Sequence, residues 1–201
     1  HSFPTRRSSD LVETVSYDPD GAKKLLEESG WTDTDGDGYV DKDGEKLSIN
    51  WLTYPTRLEQ PKLAEYAQAT LKDIGIDVQV NNTSDHRTFA ENGDFDVYVS
   101  STTTAPTGDP EYFFTSTVVG SKNYGKYQND EVTKLTEKLH QTFDKDERGK
   151  LAVELQQDIL DDDAFFFVSH LNMGIVTKSN VTGMAAHPCD YYEITADLDV
   201  E

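Results

Sequence analysis

The stretch LSINWLTYPTRLEQPKLAEYAQATLKDIGIDVQV, residues 47–80, decides the fold. Apolar and polar side chains mostly alternate over its first six residues, which is typical of a strand. Between residues 58 and 75 the apolar side chains recur at helical spacing, and Ile76, Val78 and Val80 then alternate with polar ones. A strand, a long helix and a second strand form a βαβ unit, whose two strands are parallel.

A short helix is predicted upstream of this unit. Asp18 can cap it, Pro19 suits its first position, and Gly30 ends it. The buried stripe expected on this helix consists of Ala22, Leu25 and Leu26.

Downstream, apolar spacing predicts further strands and helices but no internal repeat. These are a short helix at residues 87–91, a strand at residues 95–100, a short helix from Pro110, one helix marked by Val132, Leu135 and Leu139, another marked by Leu151, Leu155 and Ile159, and closing strands at residues 165–169 and 174–177. The fold class is therefore α/β, with a mixed sheet flanked by helices.

The chain is strongly acidic, with 38 Asp and Glu residues against 18 Lys and Arg residues and a net charge of −20. Binding to nucleic acid needs a surplus of basic residues, so nucleic acid is excluded as a partner. The acidic surplus has two interpretations: a solvated surface whose charges repel one another, and a halophilic protein in which concentrated salt screens that repulsion. The single cysteine, Cys189, excludes an internal disulfide and a cysteine-based zinc site.

The first eleven residues differ in composition from the rest of the chain. The segment HSFPTRRSSDL, residues 1–11, has no periodicity and holds two of the five arginines. It resembles a translated sequencing adapter, so we expect it to be foreign and unstructured. The original sequence would then begin near Val12 and extend upstream, and any leader or lipid anchor would lie outside the given sequence.

Aspartates alternate along the loop DTDGDGYVD, residues 33–41. Calcium takes six or more oxygen ligands, and an EF-hand loop supplies them with this alternation and a glycine at its sharp turn. Position 12 of the loop is Gly44, where a glutamate is usual. The loop therefore has two interpretations, a structural calcium site and an Asx-turn that leads into a hairpin. The predicted calcium ligands are Asp33, Asp35, Asp37, Asp41 and the carbonyl of Tyr39.

The sequence offers no constellation of catalytic residues. His86, His140 and His170 are far apart, and none of them starts an HxxxH or HExxH motif. His187 lies two residues before Cys189, but the irregular sequence around them gives no base-orienting geometry. We therefore predict a protein without enzymatic activity and without a required cofactor.

Three motifs resemble the family of peptide, dipeptide and nickel solute-binding proteins of ABC importers. The segment Tyr17–Trp31 is close to the family's YDPxxAKxLLxExG(W/Y) pattern, and Leu71–Val78 is similar to its LKxIGIxV turn from helix into strand. Phe95–Tyr98, a polar loop and Asp109 resemble the family's YDxxxxxW…DP run. The motifs follow one another in the order that the family shows.

The resemblance implies one lobe of a two-lobed protein, which closes over a solute and delivers it to ABC permease subunits. Residues 12–179 are then the carboxy-terminal lobe, and residues 180–201 are a tail that returns toward the other lobe. The implied location is extracytoplasmic, with membrane association only through an anchor outside this chain and a monomeric full-length protein. The expected ligand is a small solute, with a peptide as the first candidate. The alternative function is a calcium-stabilised structural or adhesive extracellular module.

The expected solute site is the polar loop that follows the strand at residues 95–100. Ligands of open α/β sheets bind at the carboxyl ends of the strands, and this loop is rich in hydroxyl groups. Asp109 precedes Pro110 and is expected to cap the next helix and shape the loop. Peptide binders of the family often carry an acid here that pairs with the amino terminus of the peptide, and residues 102–108 contain none. The predicted solute-binding residues are Ser101, Thr102, Thr103, Thr104 and Asp109.

Overall fold

A computed structural model describes residues 12–170, 174–185 and 194–200. The described residues form two compact units. The sheet unit runs from Val15 to Ser101, and the helical unit comprises residues 12–14 and the described residues from Thr102 onward. The predicted foreign segment, residues 1–11, lies outside the described residues, and so do His187 and Cys189.

The sheet unit combines a parallel sheet, a hairpin and helices. Its elements are α1 Pro19–Glu28, β1 Asp41–Lys42, β2 Glu45–Lys46, β3 Ser48–Thr53, α2 Glu59–Lys72, β4 Asp77–Asn82, α3 His86–Asn92 and β5 Val97–Tyr98. Strands β1 and β2 form the antiparallel hairpin, whereas β3 lies between β4 and β5 in the parallel sheet.

The pairing of β3 with β4 confirms the predicted βαβ unit. The register runs from Ser48 opposite Asp77 to Thr53 opposite Asn82, so every residue of β3 has a partner in β4. On its other edge β3 pairs in parallel with β5, which is shorter than the strand predicted at residues 95–100.

A glycine sets the turn from α2 into β4. Gly75 has a φ of +82°, a conformation that glycine adopts without steric cost. A Cβ atom at this position would lie 2.9 Å from Val40 Cγ1. The Val40 amide donates a hydrogen bond to the Gly75 carbonyl at 2.8 Å, so the same turn also holds the start of the hairpin.

Helix α1 begins as predicted but is less buried than predicted. Asp18 accepts a hydrogen bond from a backbone amide of the first turn at 2.9 Å, and Pro19 occupies the first helical position. Ala22 and Leu26 are half-buried, but Leu25 is 65% exposed. The predicted buried stripe is therefore wrong at Leu25, because helical spacing identifies an apolar face but not whether another element covers it.

The helical unit is built on two packed helices. Its elements are α4 Glu111–Phe113, a π-helical turn Phe114–Val118, α5 Asp130–Gln141, α6 Lys145–Asp161, β6 Val181–Thr182 and β7 Asp199–Val200. Asn129 and Asp144 cap α5 and α6 by accepting hydrogen bonds from backbone amides of the first turns. The apolar residues that predicted these helices are buried together, with Phe113 of α4 and Phe114 of the π-helical turn beside them. This core comprises Phe113, Phe114, Val118, Val132, Leu135, Leu139, Leu151, Ala152, Leu155 and Ile159.

The closing strands predicted at residues 165–169 and 174–177 are wrong. The rings of Phe165 and Phe167 lie 5.8 and 5.7 Å from the ring of Phe113, but neither segment pairs with a strand among the described residues. Aromatic and β-branched residues favour extended backbone, yet a strand forms only where a neighbour satisfies its backbone hydrogen bonds.

The architecture confirms the predicted α/β class. A parallel sheet and two antiparallel strand pairs occur beside the helices. Within the described ranges, no helix has both the length and the apolar character that crossing a bilayer requires. The lobe boundary expected at residue 179 stays a prediction.

Negative charge accumulates at the carboxyl end of α6. Asp158 and Asp161 lie in its last turn, which contains no basic residue, and Asp162 follows directly. Carboxylates are unfavourable there because a helix dipole is negative at this end. Burial raises the pKa of Asp158, and the charges of Glu154, Asp161 and Asp162 raise it further. The ionised form of Asp158 therefore costs folding free energy at neutral pH.

We predict that Asp158→Asn raises the free energy of unfolding by about 0.5–1 kcal/mol at low salt, because it removes a repelling charge. The gain should shrink in molar KCl, which screens exposed charges, and also on acidification, because the raised pKa of Asp158 lets the wild-type carboxylate take up a proton at a higher pH than an ordinary aspartate. Urea denaturation measures both effects. Asp146→Asn, the same change in the first turn of α6, is the matched control and should lower stability. A stability loss in Asp158→Asn at low salt would refute the repulsion.

Candidate functional site

The parallel sheet brings three chain segments to one edge. Strand β3 ends at Thr53, β5 ends at Tyr98, and β4 ends at Asn82 shortly before α3 begins at His86. Because the strands are parallel, their carboxyl ends lie along the same edge, where open α/β sheets bind their ligands. The residues that follow these strand ends are therefore the candidate functional site.

Tyr54, His86 and Tyr98 form a cluster at this edge, the edge cluster. The imidazole of His86 stacks on the ring of Tyr54, with centroids 4.0 Å apart and planes inclined by 21°. His86 Nδ1 and the Tyr98 hydroxyl share a hydrogen bond of 2.6 Å. The hydroxyl of Tyr54, a residue only 7% exposed, accepts a hydrogen bond from the Ser101 amide at 3.0 Å. The edge cluster therefore joins the strand ends to the start of the polar loop.

The surroundings of His86 favour a neutral imidazole. Burial lowers the pKa of His86, the charge of Arg87 lowers it further, and Asp85 opposes both effects. A pKa below the ordinary value of about 6.5 leaves the ring neutral at pH 7. A neutral imidazole has one donor and one acceptor nitrogen, so Nδ1 can pair with the Tyr98 hydroxyl in either sense.

Four of the predicted solute-binding residues begin the polar loop. Ser101 is exposed, and its amide is held by the Tyr54 hydroxyl. Thr102 is half-buried, whereas Thr103 and Thr104 are exposed. The side chains of Thr103 and Thr104 are therefore accessible to a solute, and the role of these residues in binding stays a prediction.

The fifth predicted residue, Asp109, is engaged by other groups of the protein. Its carboxylate accepts hydrogen bonds from Arg148 Nε at 2.9 Å, from Arg148 Nη2 at 2.6 Å and from the Glu111 amide at 2.9 Å. The last contact reaches the first residue of α4, but Pro110 occupies the N-cap position, so the predicted cap at Asp109 is displaced by one residue. Arg148 also donates to the Glu111 carboxylate and to the carbonyls of Leu139 and Thr142, so all of its N–H groups have acceptors. Asp109 therefore shapes the loop and offers no free charge.

Sequence reasoning missed Arg148 and Glu111. The sequence offered one indication of Arg148, because it is one of only five arginines in a chain with 38 acidic residues. Hydrogen bonds from Arg148 lower the pKa of both the Asp109 and the Glu111 carboxyl groups. His140 Nδ1, which lies 2.6 Å from a Glu111 carboxylate oxygen, adds to the effect on Glu111.

We predict that Arg148→Ala lowers the free energy of unfolding by about 2–4 kcal/mol at pH 7, because two carboxylates and two carbonyls lose their donor. Carboxylates with a lowered pKa stabilise the fold above their unfolded pKa of about 4 and lose this effect as the pH falls. The deficit should therefore shrink between about pH 5 and pH 3.

Urea denaturation over this pH range measures the deficit. Lys150→Ala is the matched control in the same helix, since it removes only the exposed pair with Glu147 and should cost below about 0.5 kcal/mol. A deficit of equal size at both ends of the pH range would show that the ion pairs do not cause it.

The aspartate loop brings three of the five predicted calcium ligands together. Carboxylate oxygens of Asp33, Asp35 and Asp37, all exposed, lie within 4.8 Å of one another. Asp41 instead accepts hydrogen bonds from the Thr34 hydroxyl at 2.6 Å and the Thr34 amide at 2.9 Å, which lower its pKa. Asp33 accepts hydrogen bonds from backbone amides of the turn, as the Asx-turn interpretation requires. Both interpretations of the loop stay open.

Tyr39 belongs to the same loop. Its amide donates a hydrogen bond to the Asp37 carboxylate at 2.9 Å, and Lys46 Nζ lies 4.4 Å from its ring centroid. Neither contact involves the Tyr39 carbonyl, so its role as a calcium ligand stays a prediction.

Thermal unfolding tests the calcium prediction. A ligand at 100 times its dissociation constant stabilises the folded state by about 2.7 kcal/mol. We therefore expect millimolar calcium to raise the Tm, and Asp35→Asn and Asp37→Asn to abolish the rise. Asp43→Asn, an exposed aspartate in the β1–β2 turn, is the control and should retain it. A Tm that does not respond to calcium would leave the Asx-turn as the interpretation of this loop.

The sequence matches known binding proteins over most of its length. The family model "Bacterial extracellular solute-binding proteins, family 5 Middle" matches residues 2–125. This range includes most of the segment at residues 1–11, whose foreign origin stays a prediction. The oligopeptide-binding protein AppA of Bacillus subtilis is 30% identical over 189 residues, which cover 91% of this chain and 35% of AppA. The nickel-binding periplasmic protein of Escherichia coli is 27% identical over 179 residues, which cover 86% of this chain and 34% of that protein. The chain spans about a third of the length of these relatives.

Solved structures give the same relationship. The structure of AppA from Bacillus subtilis in complex with a nonapeptide matches 80% of this chain and 32% of its own, with a TM-score of 0.64 and 28% identity. The structure of a nickel ABC transporter from Bacillus halodurans matches 76% of this chain and 32% of its own, with a TM-score of 0.62 and 31% identity. The family match covers more than half of the chain and includes the three sequence motifs. The chain therefore belongs to family 5 of the bacterial extracellular solute-binding proteins.

Proposed function

We propose that this chain takes part in solute capture by a monomeric binding protein, which works outside the membrane and serves the permease subunits of an ABC importer. It binds its solute without transforming it. The observation that carries the proposal is the loop Ser101–Thr104, which begins at the carboxyl end of β5 and is held there by the Tyr54 hydroxyl. The alternative, a calcium-stabilised adhesive module, rests on the aspartate loop alone.

We propose a peptide as the solute. One relative has been solved with a nonapeptide, and another is a nickel-binding protein. Nickel is well suited to imidazole ligands, whereas the described residues bring three metal-binding side chains together only at Asp33, Asp35 and Asp37. A peptide instead needs hydrogen-bond donors and acceptors for its backbone, which the hydroxyl groups and backbone of the loop can supply.

The peptide amino terminus is proposed to bind outside this loop. Residues 102–108 contain no acid, and the Asp109 carboxylate is occupied by Arg148. An ammonium group placed in the loop would meet hydroxyls and backbone dipoles but no free carboxylate. The loop is therefore suited to the uncharged part of a peptide.

We also propose that the protein works in concentrated salt. Its net charge of −20 and the repulsion around Asp158 both favour a medium that screens charge. The salt series on Asp158→Asn, described with the fold, tests this proposal at a single site.

We predict that replacing Thr102, Thr103 and Thr104 together by Ala weakens peptide binding at least tenfold, about 1.4 kcal/mol, because the hydroxyl contacts are lost. Isothermal calorimetry with di-, tri- and oligopeptides on the full-length protein measures the affinity. The matched control replaces three exposed hydroxyl residues that flank α1 in the sequence, which are Thr14, Ser16 and Ser29. Unchanged affinity in the loop variant would move the solute site away from this loop.

A further inference from the structure

The parallel hydrogen-bond ladder between β5 and β3 stops at Ser101, whose amide donates to a side chain and not to a backbone carbonyl. The Val99 amide donates a hydrogen bond to the Leu52 carbonyl at 3.0 Å, as in a regular ladder with β3. A continued ladder would pair the amide two residues later with the carbonyl of Tyr54. The Ser101 amide instead donates to the Tyr54 hydroxyl at 3.0 Å. The position of the Tyr54 hydroxyl therefore sets the point where the polar loop begins. This loop, which starts at Ser101, is called the solute loop below, after its proposed function.

The Tyr54 ring is held in place by His86. The two rings are stacked at 4.0 Å, and His86 is held in turn by its 2.6 Å hydrogen bond to the Tyr98 hydroxyl. His86 belongs to α3, whereas Tyr54 follows β3 and Tyr98 ends β5. The His86 imidazole thus connects α3 to the carboxyl ends of β3 and β5.

We propose that His86 is a positioning residue for solute binding, which fixes the Tyr54 hydroxyl and thereby the Ser101 anchor, and that protonation of His86 loosens this anchor. The inference rests on the proposed function, because it assigns a role to a residue that supports the solute loop without contacting the solute.

The charges around His86 give the pH dependence its sign. The groups that face it are Tyr54 from the end of β3, Tyr98 from β5, Arg87 from its own helix and Asp85, which directly precedes that helix. The folded state favours the neutral ring, so His86 stabilises the fold above its unfolded pKa of about 6.5. This stabilisation is lost as the pH falls through the lower pKa of the folded state. Acidification should therefore release Ser101 without adding any group to the site.

Hydrogen exchange of the Ser101 amide, followed by NMR, measures the anchor in the absence of solute. We expect its protection, corrected for intrinsic exchange, to fall by up to about tenfold for each unit of pH between about 6.5 and the lower midpoint of the His86 titration in the folded protein, and to level off below that midpoint. The ring shifts of His86 should follow the same midpoint in the wild-type protein. If the protection of the Ser101 amide does not change while His86 titrates, the proposal is wrong. This test needs only the wild-type protein.

Variants separate the imidazole from its neighbours. His86→Phe keeps an aromatic ring against Tyr54 but cannot titrate, so the Ser101 profile should become flat. Tyr54→Phe removes the acceptor and should abolish protection at every pH. His170→Gln, an exposed histidine of the helical unit, should follow the wild type. Protection of the β3–β4 ladder amides reports whether each variant is folded.

Calorimetry with tri- to hexa-alanine peptides on the full-length protein provides the binding measurement. We expect affinity to fall on acidification in the wild type and to lose this dependence in His86→Phe. A dependence that persists in His86→Phe overturns the role of His86 in binding. Absence of peptide binding at any pH overturns the proposed peptide function instead, while the exchange data still decide on the anchor.

Discussion

The parallel pairing of β3 with β4 and β5 is the constraint on which the sheet unit depends. A parallel pair needs a crossover, which α2 provides between β3 and β4, and it delivers the strand ends to one edge. Tyr54, His86 and Tyr98 meet at that edge because β3 is central in the order β4-β3-β5. The geometry of the edge cluster is therefore a consequence of the strand order, and so is the point where the polar loop leaves the ladder.

The polar loop from Ser101 to Asp109 is fixed at each end by a polar contact, and each contact lies within one unit. Ser101 is held by a phenol of the sheet unit, and Asp109 is held by the guanidinium of Arg148 in the helical unit. The second contact explains why the Asp109 carboxylate is unavailable to a solute. The side chains of Thr103 and Thr104 are accessible, and their role in solute binding stays a prediction. Family membership and this geometry lead to the same proposal by independent routes.

Much of the fold was predictable from sequence, because local patterns report local structure. The period change along residues 47–80 identified β3, α2 and β4, and the Asp18–Pro19 start of α1 followed from capping preferences. What failed needed knowledge of partners. Leu25 is 65% exposed although it lies on the apolar face of α1, and residues 165–169 and 174–177 pair with no strand among the described residues, although Phe165 and Phe167 contact Phe113. The site was predictable as a loop position only. The contacts of His86 with Tyr54 and of Arg148 with Asp109 join residues 32 and 39 positions apart, which no spacing rule reveals.

Hydrogen–deuterium exchange of the full-length protein, with and without a bound peptide, tests the central claim most directly. Solute binding at the carboxyl edge of the parallel sheet predicts that added protection concentrates at residues 101–104, while α5 and α6 exchange as before. Added protection elsewhere, with residues 101–104 unchanged, would contradict the assignment of this loop as the solute site.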